Sequence, residues 1–98
     1  MSFFNNIFNK KPKIDLATLL ENGAILLDVR SKEEYRAGHA AQSVNIPLDN
    51  LSYEIATLDR NIPIVTVCES GMRSSRATYI LQQQGYEVYN GGSWHRFK

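Results

Sequence analysis

Apolar residues along this chain recur at two spacings, one suited to helices and one to buried strands. Asp15 stands before Leu16, Leu19 and Leu20 at i, i+3, i+4 spacing, and Gly23 follows. An aspartate cap and a glycine stop predict a short helix between them. Ala24 to Val29 reads Ala-Ile-Leu-Leu-Asp-Val, an apolar run typical of a strand buried on both faces. Ser31-Lys32-Glu33-Glu34 has capping-box spacing, in which the serine hydroxyl and the glutamate carboxylate accept each other's backbone N–H. A helix is therefore predicted to about Ala37, before Gly38. Ser43 to Ile46 predicts a short strand closed by Pro47, and Asp49 is expected to cap a helix turning Leu51, Ile55 and Leu58 inward, ending near Asp59-Arg60. Ile64 to Val67 is the next buried strand. Ser74 or Ser75 is expected to open a helix with Ala77, Ile80 and Leu81 inward, Gly85 to end it, and Tyr86 to Tyr89 to form a last strand.

Alternating short helices and strands predict an α/β domain, a three-layer sandwich whose mainly parallel sheet of four or five strands carries helices on both faces. Ligand sites in such sheets lie outside the carboxyl ends of the strands, where loops and helix N-termini converge. Asp28-Val29-Arg30, the turn Asn45-Ile46-Pro47, and Cys68 with the loop after it all end there, which predicts one shared pocket.

A chain of 98 residues with 43% hydrophobic composition suits one core, assigned here to residues 13–98 after an N-terminal extension, 1–12. Phe3, Phe4, Ile7 and Phe8 fall at helical spacing, but no basic region precedes them and Asn5-Asn6 interrupts the run. A docked or frayed terminus is expected, with no export, no stable membrane association and a cytoplasmic location. Net charge is +1, and the basic clusters Lys10-Lys11-Lys13 and Arg73/Arg76 are too small for a nucleic-acid surface. A small-molecule or protein partner is expected instead. One cysteine excludes an internal disulfide, and His39 and His95 with that cysteine make no zinc set, so neither metal nor cofactor is expected.

Cys68 is that cysteine, placed where Ile64-Val65-Thr66-Val67 gives way to Glu69-Ser70-Gly71-Met72-Arg73-Ser74. A thiol at a strand's end, facing the first turn of a helix, meets unpaired backbone N–H groups that favour thiolate. Buried free cysteines more often serve as small hydrophobes, but Glu69, Ser70, Gly71 and Arg73 make a poor core and a good anion cradle.

The chain resembles the single-domain rhodaneses. The resemblance spans nearly all of residues 14–97 and rests on Leu27-Asp28-Val29-Arg30, Glu34-Tyr35, Gly38-His39, Asn45-Ile46-Pro47-Leu48, the Cys68–Ser74 loop, and Gly85-Tyr86 through Gly91-Gly92 and Trp94, in this order. It implies a sulfurtransferase in which Cys68 takes the outer sulfur of a small anionic donor such as thiosulfate, becomes a persulfide, and passes the sulfur to cyanide, a thiol, a thioredoxin-like protein or another protein acceptor. Amides from Glu69, Ser70, Gly71, Met72, Arg73 and Ser74 would stabilise the charged terminal sulfur, with Gly71 free to take positive φ and Arg73 supplying a cation. Related phosphatases place one residue more between cysteine and arginine than the four found here, and the shorter ring suits a lone sulfur better than a tetrahedral phosphate. A non-catalytic sulfur-carrier or protein-binding module is the other alternative.

Departures from the family pattern are local. Ala40-Ala41-Gln42-Ser43 stands where Ile-Pro-Gly-Ala is usual, which is expected to loosen that turn. Family resemblance implies that the Asp28 carboxylate steadies the catalytic loop, with an ordinary cap as its plain alternative. Arg30 is expected mainly in a structural ion pair and His39 in a structural hydrogen bond. Arg76 is expected in solvent, Trp94 as a lid packed under the loop, and Met72 at the pocket mouth or simply exposed.

Overall fold

The computed structural model describes residues 14–98; the Phe3, Phe4, Ile7 and Phe8 positions lie outside the described residues. Four strands, β1 (Ile25–Asp28), β2 (Val44–Asn45), β3 (Ile64–Cys68) and β4 (Val88–Ser93), form one sheet in the order β2-β1-β3-β4, and every neighbouring pair is parallel. Helix α1 (Leu16–Glu21) precedes β1, and α2 (Lys32–Ala37), α3 (Leu51–Glu54) and α4 (Met72–Gln83) run between successive strands, with 3-10 turns at Leu48–Asn50 and Ile55–Thr57 flanking α3 and one at Trp94–Phe97 after β4.

Side chains alternate across each strand, so β1 and β3 feed two cores. Leu27, Ile64 and Cys68 point to one face, where Leu51, Ala77, Leu81 and Tyr86 cover them. Leu26, Val65 and Val67 point to the other, against Ala40, Trp94, Leu16, Leu20 and Phe97. Cys68 therefore belongs to the α4 layer. Two predicted caps form as expected: the Asp15 carboxylate accepts from Ala17 and Thr18, and Ser31 with Glu34 closes a complete capping box.

Other boundaries shift for identifiable reasons. Asp49 caps nothing; it sits inside the Leu48–Asn50 turn, and α3 begins at Leu51 with no side-chain cap. Helix α4 starts at Met72, ahead of the serines, because Gly71 takes φ +101°, a left-handed conformation that reverses the chain at once. Tyr86 is not in β4; its hydroxyl lies 2.7 Å from the Ile55 carbonyl and 3.0 Å from that of Leu58, either of which can accept its proton, and ties the α3 connection to the core. β4 instead runs on through Asn90-Gly91-Gly92 to Ser93, with a register shift opposite Thr66/Val67. Gly91 allows that shift, since a Cβ there would lie 2.8 Å from Val65 Cγ1 and 3.0 Å from the Thr66 carbonyl oxygen. The turn at residues 40–43 is also tighter than expected. Ser43 donates from its amide (3.0 Å) and hydroxyl (2.6 Å) to the Ala40 carbonyl, replacing proline's stiffness with hydrogen bonds.

Thr66 reads as one more apolar position of β3, yet its buried hydroxyl donates to the Ser74 carbonyl at 3.1 Å and lies 2.7 Å from the Thr78 hydroxyl. It pins the sheet to the first turns of α4. Thr66→Val is expected to lower stability by about 1 kcal/mol, read in urea as a lower midpoint at unchanged slope.

Candidate active site

Cys68 ends β3, and the chain then folds back over its own sulfur. The amides of Gly71 and Ser74 donate to Sγ at 3.0 and 3.3 Å, so the sulfur accepts from the first turn of α4 as a serine or aspartate cap would. This explains why α4 starts without a conventional cap. The Ser74 hydroxyl lies 3.4 Å from Sγ and 2.6 Å from Asn90 Oδ1. One hydroxyl proton serves one acceptor at a time. With Cys68 protonated, the thiol donates to Ser74 and Ser74 to Asn90; with a thiolate, the hydroxyl turns to the sulfur, and Asn90 Oδ1 keeps the Gly92 amide at 2.9 Å.

Burial raises the Cys68 pKa, but the Ser74 hydroxyl and the amides of Ser74, Gly71 and Ser70 together outweigh it and hold the thiol below its ordinary value. Cys68 is 0% exposed, and the amides around it point inward. The ring is closed around one sulfur atom.

The expected site residues fall into different roles. Ser74 is buried beside the sulfur, whereas Glu69, Ser70 and Met72 are exposed at the loop surface. Arg76 is also exposed, and His39 bonds through Nδ1 to the Tyr35 carbonyl (2.7 Å) while stacking on that ring. Arg73 is not an isolated cation. Its guanidinium grips the Glu34 carboxylate with two bonds of 2.6 and 3.0 Å, the two side chains being 39% and 36% exposed. Glu34 thus serves the capping box and the Cys68 loop together.

Asp28, fully buried, gives its carboxylate to Arg30, accepting from the amide, Nε and Nη2 at 2.8 to 3.0 Å. Among the described residues it makes no side-chain hydrogen bond to the 69–74 loop. Any steadying of the loop is indirect. Arg30 donates to the Gly38 carbonyl (2.7 Å) and lies 4.4 Å over the Trp94 ring, and Trp94 Nε1 donates to Glu69 at 3.0 Å. Trp94 and then His95 hold the Glu69 carboxyl below its usual range.

Asn90 was not among the residues singled out from sequence. It joins Ser74 through Oδ1 and the Gly71 carbonyl through Nδ2 (3.2 Å), from a position paired with Thr66 just ahead of the register shift. The one sequence cue is a polar residue beside two glycines in a strand.

These features define a parallel α/β domain that holds a cysteine in an amide-lined loop at the start of a helix. The rhodanese-like domain family matches residues 13–97, and the chain belongs to that family. It is similar to a rhodanese from E. coli solved with anions, at 34% identity over 74% of this chain and 89% of that one, with TM-score 0.69. It also resembles human single domain sulfurtransferase TSTD1, at 27% identity over 91% of this chain and 99% of that one, TM-score 0.69. Reduced CoADR-RHD of Bacillus anthracis matches at 33% identity and TM-score 0.75 over 84% of this chain, which spans only 15% of that longer protein.

Because Arg30 and Asp28 are both buried, removing one strands the other's charge. Asp28→Ala is expected to destabilise the fold by about 3–5 kcal/mol, measured by urea unfolding.

Proposed function

We propose that this protein is a sulfurtransferase that carries sulfane sulfur on Cys68. The observation that carries the reading is the pair of amides, Gly71 at the cap and Ser74 in the first turn of α4, both aimed at Sγ. Such a ring favours the attacking thiolate, and the same donors would offset charge on a persulfide. In the first half-reaction, Cys68 thiolate attacks the outer sulfur of a donor, a new S–S bond forms, and the donor's remainder leaves with the electron pair. In the second, an acceptor nucleophile takes that outer sulfur and the Cys68 thiolate is restored. No oxidant is consumed.

The likeness to a rhodanese and to a single-domain sulfurtransferase supports this reading. A ring closed around one sulfur argues against a phosphatase, whose loop must surround a tetrahedral group. Delivery to a fully buried Sγ requires the exposed Glu69–Gly71 turn to give way locally. Among the described residues no helix is long and apolar enough to cross a membrane. A cytoplasmic setting, rich in thiol acceptors, fits a single cysteine with no resolving partner.

The test is intact mass after incubation with thiosulfate or with cysteine persulfide. One added sulfur is expected, removed by cyanide and absent in Cys68→Ala. Failure with both donors would leave a binding module, whereas p-nitrophenyl phosphate turnover lost in Cys68→Ser would instead favour a phosphatase.

A further inference from the structure

The two partners of the Glu34–Arg73 pair each line a cavity. One, of about 130 Å³, has Arg73 in its wall with Val29, Pro47 and Leu48; the other, about 350 Å³, has Glu34 with Glu69, Trp94 and His95. The ion pair thus joins one wall of each cavity. Glu34 is also held in place by the Ser31 amide (3.0 Å) and hydroxyl (3.1 Å), so Arg73 meets a carboxylate already positioned for it. An incoming anion must displace this tethered partner. Arg73 first, then the Ser31 amide, hold the Glu34 carboxyl at about 2, so it stays charged at any working pH.

Charge around the loop points the same way. The guanidiniums of Arg30 and Arg73 stand with three carboxylates, Asp28, Glu34 and Glu69, while His95 lies 3.0 Å from Glu69 and Arg96 sits beside Gly92. Both guanidiniums are already paired. A divalent anion approaching Cys68 past Arg73 therefore finds that guanidinium already engaged by Glu34, and the exposed Glu69 carboxylate adds negative charge beside the loop.

Resting on the sulfurtransferase reading, we propose that Glu34 is a donor-specificity residue: by occupying Arg73 it selects against divalent donors such as thiosulfate and in favour of organic persulfides. With such a donor, Cys68 thiolate attacks the terminal sulfur of R–S–SH, the R–S to S bond breaks, and RS⁻ leaves with the electron pair. The proton stays on the transferred sulfur, and atoms and charge balance with no added redox partner. This leaving group needs no guanidinium to gather its oxygens, whereas sulfite departing from thiosulfate benefits from one.

Glu34→Gln separates charge from structure, because glutamine also completes a capping box. In wild type, kcat/KM for cysteine persulfide is expected to exceed that for thiosulfate. In Glu34→Gln the thiosulfate-to-persulfide ratio of kcat/KM should rise roughly fivefold, the scale of a half-exposed charge pair, with the melting temperature close to wild type. Adding Arg73→Gln should abolish that gain. A wild-type preference for thiosulfate, an unchanged or lower ratio in Glu34→Gln, or a gain that survives loss of Arg73 would overturn the inference while leaving Cys68 chemistry intact. Absence of sulfur loading of wild type from either donor would overturn both.

Discussion

Two backbone N–H groups donating to one sulfur tie this fold to its chemistry. Any helix leaves its first amides without internal partners, and most satisfy them with a serine, threonine, aspartate or asparagine oxygen. Helix α4 uses Cys68 Sγ instead, through the Gly71 and Ser74 amides. A structural requirement of the helix and a chemical requirement of the nucleophile are met by the same contacts. The thiolate is the better acceptor, so the contacts that complete the helix also draw the thiol toward its reactive form.

Around that centre the loop is braced from three sides. Thr66 fixes the sheet to the Ser74 carbonyl, and Asn90 reaches from β4, just ahead of its register shift, to both Ser74 and Gly71. On the third side the buried Asp28–Arg30 pair supports Trp94, which holds Glu69. Glu34–Arg73 then links α2 to α4 across the site. Such overdetermination keeps a left-handed glycine and a buried thiol in place, and it puts two acidic residues, Glu34 and Glu69, beside the loop.

The sheet and most helices were legible in the chain because their signals are local. Buried runs at Ile25–Asp28 and Ile64–Cys68, the Asp15 cap and the Ser31/Glu34 box each depend on residues close in sequence. Cys68 was legible for the same reason, standing where an apolar run meets a glycine turn. Asn90, Thr66 and the second role of Glu34 were not, because each acts on a residue far away in the chain, and Glu34 already had a sufficient local explanation. The start of α4 was misplaced because the rule expects an oxygen cap and the protein uses sulfur. Asp49 illustrates the converse, an apt capping residue whose backbone enters a 3-10 turn before it can act.

The most direct measurement is the ionisation of Cys68 itself. With a single cysteine in the chain, selective ¹³C labelling at Cβ gives one cysteine signal to follow by NMR as pH is varied. A titration midpoint clearly below that of free cysteine is expected if the inward amides overcome burial. A midpoint at or above it would mean that burial wins, and the amide ring would then not hold a thiolate.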